Sequence, residues 1–366
     1  MEFIDLKTQY QSIKPSIDRR IQAVLDHGQY IMGPEIAQLE AALAARTGAK
    51  HCIGCASGTD ALLLAMMALG IGPGDEVVTT AFSFFATAEI IALLGATPVF
   101  VDIDPATYNL DPQHLPAVIT PRTKAILPVS LYGQCADMDA IAKIAGEIPV
   151  IEDAAQSFGA TYKGRQSCNL SAIGCASFFP SKPLGCYGDG GATFTNDDGL
   201  IELLRSIRIH GQGADKYENV RIGVNSRLDT IQAAILLEKL KVFPDEIEMR
   251  ERVARRYSQA LGQSNSIRVP RVLDGMQSTW AQYTIQVPDR DKLAADLKAK
   301  GIPTAIYYPI PMTMQKGYAH FPSVPVPVST AIGKTVISLP MHPDLDEKTQ
   351  DLIIAAVLES VGRAAA

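Results

Sequence analysis

Residues 51–69 read HCIGCASGTDALLLAMMAL. His51–Ala56 is a short, nearly uncharged run, Ser57-Gly58-Thr59 is a turn of small residues, and Asp60–Leu69 is an apolar helix former. That order of strand, tight turn and helix is the unit of a layered α/β fold. It recurs downstream. Strands are predicted at Glu76–Thr79, Thr97–Val101, Ala125–Val129, Val150–Glu152, Cys175–Phe179 and Ala192–Thr195. Helices are predicted at Ala86–Leu94 and Met138–Ala145. Strands this apolar on both faces imply a mostly parallel sheet covered by helices on each side.

Upstream, Ile13–His27 is amphipathic, and Gly28 and Gly33-Pro34 break it before Glu35–Arg46 resumes. Leu228–Lys241 predicts a helix that Pro244 ends. The charged run Asp245–Arg256 reads as a solvated helix joining two domains. Beyond it, Tyr283–Val287, Asp291–Lys300, Thr304–Tyr308, Val336–Leu339 and Glu347–Val361 suggest a smaller α/β domain. The expected division is a large domain over 1–244, including the N-terminal helical segment, and a small one over 245–366.

At 366 residues, with 47% hydrophobic and 20% charged residues, the chain can bury a large core without disulfides or metals. Lys and Arg number 33 against 39 Asp and Glu, a formal charge of −6. No basic block appears, which argues against nucleic acid as a partner. No signal peptide is visible, and the longest charge-free apolar stretch, Ala61–Gly72, is too short to span a bilayer. A cytoplasmic protein with no membrane partner is expected. Cys52-Ile53-Gly54-Cys55 has the spacing of a redox dithiol or half a zinc site, but no second pair completes a metal set. Buried thiols are the expectation, and no metal.

Gly70-Ile71-Gly72-Pro73-Gly74 follows a helix and precedes a strand, the reverse of the order that seats a dinucleotide, so it reads as a connecting turn. Ser57-Gly58-Thr59 stands in the right order for an anion at a helix N-terminus, though an ordinary N-cap explains it equally well. Asp153 ends a buried strand, where open α/β sheets place ligands. Lys182 lies in the apolar, tightly turned Ser177–Gly185, where desolvation would free its amine as a nucleophile, although local sequence alone favours a lysine in a surface turn. An acid at a strand end, Ser177 five residues before Lys182, and an upstream anion turn together describe a pyridoxal 5′-phosphate site. Phe82, Phe84 and Phe85 offer a ring to stack on the pyridine, with core packing the plain alternative for two of the three.

These residues sit in motifs. They are Gly33-Pro34-Glu35, Ser57-Gly58-Thr59-Asp60-Ala61-Leu62, Phe82-Ser83-Phe84-Phe85-Ala86-Thr87, Glu152-Asp153-Ala154-Ala155-Gln156-Ser157, the stretch Ser177–Gly191, and Val224-Asn225-Ser226-Arg227-Leu228-Asp229. Along nearly its whole length the chain resembles the fold-type-I pyridoxal-phosphate aminotransferases of the DegT/DnrJ/EryC1/StrS group, which act on nucleotide-linked keto sugars. The resemblance implies a mixed, mostly parallel sheet sandwiched by helices, plus a smaller C-terminal α/β domain. It makes Lys182 the Schiff-base lysine and proton shuttle, and Asp153 the partner of the pyridine nitrogen. Gln156 would lie near the ring hydroxyl and Phe84 would stack on the ring. Ser57, Gly58, Thr59 and Ser177 would hold the phosphate. Asn225 would reach the phosphate of a neighbouring subunit, which implies a homodimer with shared active sites. Lys182, where some relatives carry histidine and act as dehydratases, favours transamination.

Further similarity, in Asp26–Ile31, Ser130–Asp137, Phe178–Gly188 and Ser338–Pro343, is to members that aminate a UDP-linked 3-keto uronic acid for O-antigen. Ile306-Tyr307-Tyr308-Pro309 departs from their pattern, which has a histidine before the second tyrosine. The implied reaction is ping-pong, with L-glutamate as donor and pyridoxamine phosphate as the amine carrier. Arg227 is the first candidate for a substrate carboxylate, with Arg208 and His210 behind it. Tyr307 and Tyr308 are candidate sugar contacts. The rival readings are a transaminase for another 3- or 4-keto deoxysugar and a non-catalytic sugar-nucleotide sensor.

Overall fold

The computed structural model describes residues 1–215 and 217–364. Two N-terminal helices, α1 (Leu6–His27) and α2 (Pro34–Thr47), each end at a glycine in the left-handed conformation, Gly28 and Gly48. Seven strands then form the sheet: β1 (His51–Cys55), β2 (Glu76–Thr80), β3 (Thr97–Val101), β4 (Thr123–Leu127), β5 (Ile151–Asp153), β6 (Ile173–Ser177) and β7 (Gly191–Thr195). Their order is β3-β2-β4-β5-β6-β7-β1. The seam between β4 and β5 is closed by the parallel bridges Ile126–Val150 and Val129–Asp153. All neighbours are parallel except β7, which runs against β6 and β1.

The antiparallel strand matters for function. Because β7 is reversed, its first residue, Gly191, pairs with the last residues of β1 and β6, Cys55 and Ser177. The turn after Cys55 therefore lies beside Ser177. A Cβ on Gly191 would sit 2.3 Å from the Ser57 carbonyl oxygen, so only glycine allows that approach.

Helices cover both faces. On one side α3 (Gly58–Ala68), α4 (Ala86–Leu93) and α6 (Asp198–Arg208) bury Leu64, Met66, Ile90, Ile91 and Leu204 against the strands. On the other, α2 and α7 (Thr230–Leu261) bury Leu39, Leu43, Leu236 and Phe243. α5 (Met138–Ala145) covers the β2–β5 half of the sheet through Met138 and Ile141. Cys52 and Cys55 are three residues apart on a strand, so they face opposite layers and cannot chelate together. All six cysteines are buried and unpaired. The glycines at 70–74 connect α3 to β2.

Pro244 does not end the long helix: α7 runs from Thr230 to Leu261 straight through it. Proline forfeits one backbone hydrogen bond, but Phe243 and Ile247 are locked in the large core and Val253 and Tyr257 in the small one. Packing on both sides overrides the local break. Nor is 245–256 simply a solvated face. Glu246 and Arg250 are buried, with Gln9 Nε2 donating to Glu246 Oε1 at 2.7 Å and Arg250 donating to the Trp280 carbonyl at 3.1 Å.

The C-terminal part has its own core, with β8 (Tyr283–Gln286) antiparallel to β9 (Val336–Leu339), flanked by α8 (Arg290–Ala299) and α9 (Glu347–Ala364). The strand expected at 304–308 shrinks to one bridge, Ala305–Ser338. Pro303, Pro309 and Pro311 lack the N–H donors a longer ladder needs. The chain instead crosses to the large layer: Met312 N donates to the Ala81 carbonyl at 2.8 Å, and Tyr318 stacks on Phe85 with ring centroids 4.6 Å apart. This crossing hangs Ile306–Pro309 over the carboxyl ends of the strands. Among the described residues, no helix is long and apolar enough to cross a membrane.

One buried group ties stability to pH. Burial pushes His342 down from its ordinary 6.5 to about 4, against the opposing pull of Asp5. The unfolded chain takes up a proton there that the folded chain resists, so stability should fall as pH drops from about 6.5 to about 4 and lose no more from this group below that. Melting temperature measured across that window should slope more steeply for the wild type than for His342→Gln; equal slopes would sink the assignment.

Candidate active site

A cavity of about 680 Å³ opens at the carboxyl ends of the strands, lined by Ser57, Gly58, Thr59, Phe84, Asp153, Gln156, Ser177, Lys182, Tyr307 and Tyr308 among others. Ten residues singled out from the sequence thus meet in one place, drawn from five separate segments of the chain. Lys182 is held by a compact turn after β6. Its N–H donates to the Phe179 carbonyl at 2.8 Å, and Cys186 N donates to the Phe178 carbonyl at 2.8 Å. Gly185 lets this turn close, since a Cβ there would lie 2.5 Å from the Pro180 carbonyl oxygen. Burial pushes the Lys182 amine below its ordinary range, and the Asp153 carboxylate partly offsets that. The balance favours a neutral, nucleophilic amine more than in a surface lysine.

Asp153 is the last residue of β5 and is buried. Its Oδ1 accepts from Ala155 N at 3.1 Å and its Oδ2 from Thr87 Oγ1 at 2.9 Å. Burial pushes its carboxyl up; those two donors and Lys182 pull it back. Its neighbour Glu152 points to the other face, where Ser130, Ser167 and Cys168 N all donate to it. Of two adjacent acids, the strand period sends one to the cavity and one into the core.

Ser57 is the N-cap of α3: its Oγ accepts from Asp60 N at 3.0 Å. The N–H groups of Gly58 and Thr59 bond to nothing among the described residues and point out of the helix start. The cap reading holds and does not compete with the anion reading, because the cap uses one donor and leaves two. Ser177 crowds this turn so closely that a Cβ on Gly58 would lie 2.5 Å from the Ser177 Cβ. Core packing claims Phe82 and Phe85 and leaves the Phe84 ring 58% exposed in the cavity, 6.3 Å from the Tyr308 ring. Gln156 is oriented at both ends, its Oε1 accepting from Tyr132 N at 2.7 Å and its Nε2 donating to Tyr308 Oη at 3.3 Å. Tyr132 Oη in turn donates to the Tyr307 carbonyl.

Asn225 and Arg227 lie elsewhere, in an adjoining cavity of about 430 Å³ with Ile31, Gly188 and Gln232; Asp189 lines both cavities. Arg227 Nε is buried there without a partner. Arg208, a weaker candidate for a substrate carboxylate, is buried and committed to Glu40 at 2.5 Å and to the Gly54 carbonyl at 2.9 Å, so it ties α6 to β1. His210 is exposed and lines neither cavity. Sequence reasoning missed Thr87, Ser83 and Tyr132 as supports of the site. Thr87 and Ser83 were inside a quoted motif at helical spacing, whereas the Tyr132 backbone contact left no trace in composition.

The residues fit pyridoxal 5′-phosphate. A desolvated lysine matches its aldehyde, a buried carboxylate its ring nitrogen, and an open helix start with a glycine cradle its phosphate. Bound there, the group supplies the electron sink for transamination.

Comparison with known proteins points the same way. A Pseudomonas aeruginosa protein described as UDP-2-acetamido-2-deoxy-3-oxo-D-glucuronate aminotransferase is 59% identical over 359 residues, covering 98% of this chain and 99% of that one. The crystal structure of a DegT DnrJ EryC1 StrS aminotransferase from Brucella abortus superposes with a TM-score of 0.96 at 47% identity, covering 99% of this chain and all of that one. NtdA from Bacillus subtilis, solved with bound cofactor PMP, gives 0.91 at 32% identity over 98% of this chain and 83% of that one. The model of the DegT/DnrJ/EryC1/StrS aminotransferase family matches residues 11–358. The chain belongs to that family and is a pyridoxal-phosphate-dependent sugar aminotransferase.

Proposed function

We propose that the chain transfers the amino group of L-glutamate to C3 of UDP-2-acetamido-2-deoxy-3-oxo-D-glucuronate, releasing 2-oxoglutarate and a 3-amino sugar for lipopolysaccharide O-antigen. The observation that carries the substrate is the 59% identity to the Pseudomonas enzyme, which extends over 98% of the chain. Lys182 Nζ moves the proton to and from the carbon that gains or loses nitrogen. Asp153 would pair with the pyridine nitrogen and keep it protonated, and Phe84 would cover one face of the ring. Gln156, held at its two ends by Tyr132 N and Tyr308 Oη, lines the same cavity.

The electrostatics support a shared site. Lys182 is the one basic side chain among the residues lining the large cavity. Glutamate and the uronate both bring carboxylates, and the nucleotide brings a diphosphate. Arg227, with a buried unpartnered Nε, stands in the adjoining cavity. Our reading is that Asn225 and Arg227 serve the large cavity of a second copy in a homodimer, Arg227 gripping the carboxylate.

The test is an activity panel of UDP- and dTDP-linked keto sugars with glutamate as donor. The uronate should be preferred, and Arg227→Ala should raise its KM about tenfold or more while changing a 6-deoxy sugar little. Preference for a 6-deoxy sugar would sink the uronate assignment. A colourless protein indifferent to glutamate would support the sensor instead.

A further inference from the structure

Asp153 ends a polar chain in the cavity wall whose other two members, Ser83 and Thr87, the chemistry above does not use. Ser83, Thr87 and Asp153 are all buried. Thr87 Oγ1 lies 2.9 Å from Asp153 Oδ2 and 2.9 Å from Ser83 Oγ. An ionised carboxylate only accepts hydrogen bonds. Thr87 has one hydroxyl proton, so that proton must point to Asp153. Ser83 must then be the donor to Thr87. The direction of the whole chain, Ser83 to Thr87 to Asp153, follows from the acid at its end.

Position strengthens the argument. Thr87 is the second residue of α4, and its own N–H is spent on the Phe84 carbonyl at 3.2 Å, so it reaches the carboxylate through its hydroxyl. Ser83 and Thr87 flank Phe84, which means the segment that presents the stacking ring is the segment that grips the acid. Around Asp153 stand the Lys182 amine, the Tyr308 phenol, Glu152, and Cys175 on the adjacent strand. Of these, Lys182 favours the ionised acid, while burial pushes the Tyr308 phenol and the Cys175 thiol up so that both stay uncharged beside it, and Glu152 is itself pushed up by burial. Ala155 N and Thr87 are the hydrogen-bond donors that offset burial.

We propose that Thr87, oriented by Ser83, is a positioning residue that keeps the Asp153 carboxylate ionised and aimed into the cavity, and thereby sets how tightly the protonated pyridine ring is held. The inference rests on the cofactor and not on which sugar is aminated.

Pyridoxamine 5′-phosphate is the probe, because it binds without a covalent bond to Lys182. Apoprotein of the wild type, Thr87→Val, Thr87→Ser and Ser83→Ala is titrated with it at several pH values, with apoprotein melting as the folding control. Thr87→Val should weaken binding about tenfold, the size of one hydrogen bond to a charged group. That loss should grow as pH falls, because an Asp153 deprived of its donor takes up a proton at higher pH. Thr87→Ser should restore wild-type affinity, and Ser83→Ala should show the same pH trend with a smaller loss. Unchanged affinity in Thr87→Val overturns the proposal. So does a loss that is equal at every pH, or one that serine fails to rescue, since either marks plain packing. If the valine variant does not fold, the pH trend of Ser83→Ala decides.

Discussion

Lys182→Ala is expected to leave a folded protein whose transamination rate falls by about 10³-fold or more. The size follows from losing two roles at once, the amine that reacts with the aldehyde and the base that moves the proton. Folding should survive, because the turn that carries Lys182 is held by backbone bonds from Lys182 N to Phe179 and from Cys186 N to Phe178, not by the amine. Burial penalises that amine when charged, so removing it costs the apoprotein little. Rate and visible absorbance are the readouts. Lys182→Arg should fail equally, since a guanidinium keeps the charge but is not a nucleophile at neutral pH. Turnover near the wild-type rate in either variant would refute the Schiff-base role.

Gly58→Ala should damage the site through a single methyl. The added Cβ would lie 2.5 Å from Ser177 Cβ, 3.0 Å from its Oγ and 3.1 Å from its Cα. Alanine itself suits a helix start, so the harm comes from contact alone. Because Ser177 is fixed in register with Gly191, it cannot retreat without disturbing the sheet. Overpacking of this kind costs about 1–3 kcal/mol. If that falls on the bound state, cofactor affinity drops about tenfold to a hundredfold. Adding Ser177→Gly should recover part of the loss by opening the space. Titration of the apoprotein with pyridoxal phosphate would measure both, and undiminished affinity in Gly58→Ala would show that the turn does not cradle the phosphate.

Strands and helices of the sheet domain were legible because their patterns are local: Thr97–Val101 and Met138–Ala145 keep their expected bounds to the residue. That Lys182, Asp153 and the Ser57 turn stand at the carboxyl ends of strands was legible because each directly follows or ends a short apolar run. Pro244 misled for an equally local reason, since the packing of Phe243 and Tyr257 that carries α7 through it comes from distant segments. The 304–308 stretch misled because its apolar residues serve as a cavity wall and not as a ladder.

By itself, the sequence determined the fold class and the cofactor and singled out Lys182, through motifs that are each only a few residues long. Only the tertiary structure decided which face each residue meets. The reversal of β7 brings Gly191 and Ser177 against the Ser57 turn, the crossing at Met312 hangs Tyr308 over Asp153, and α4 delivers Thr87 to the same acid. It also removed Arg208 from the candidates and left Arg227 unpartnered in the next cavity. These are long-range contacts between segments tens of residues apart, set by packing and hydrogen-bond satisfaction, to which a local pattern is blind.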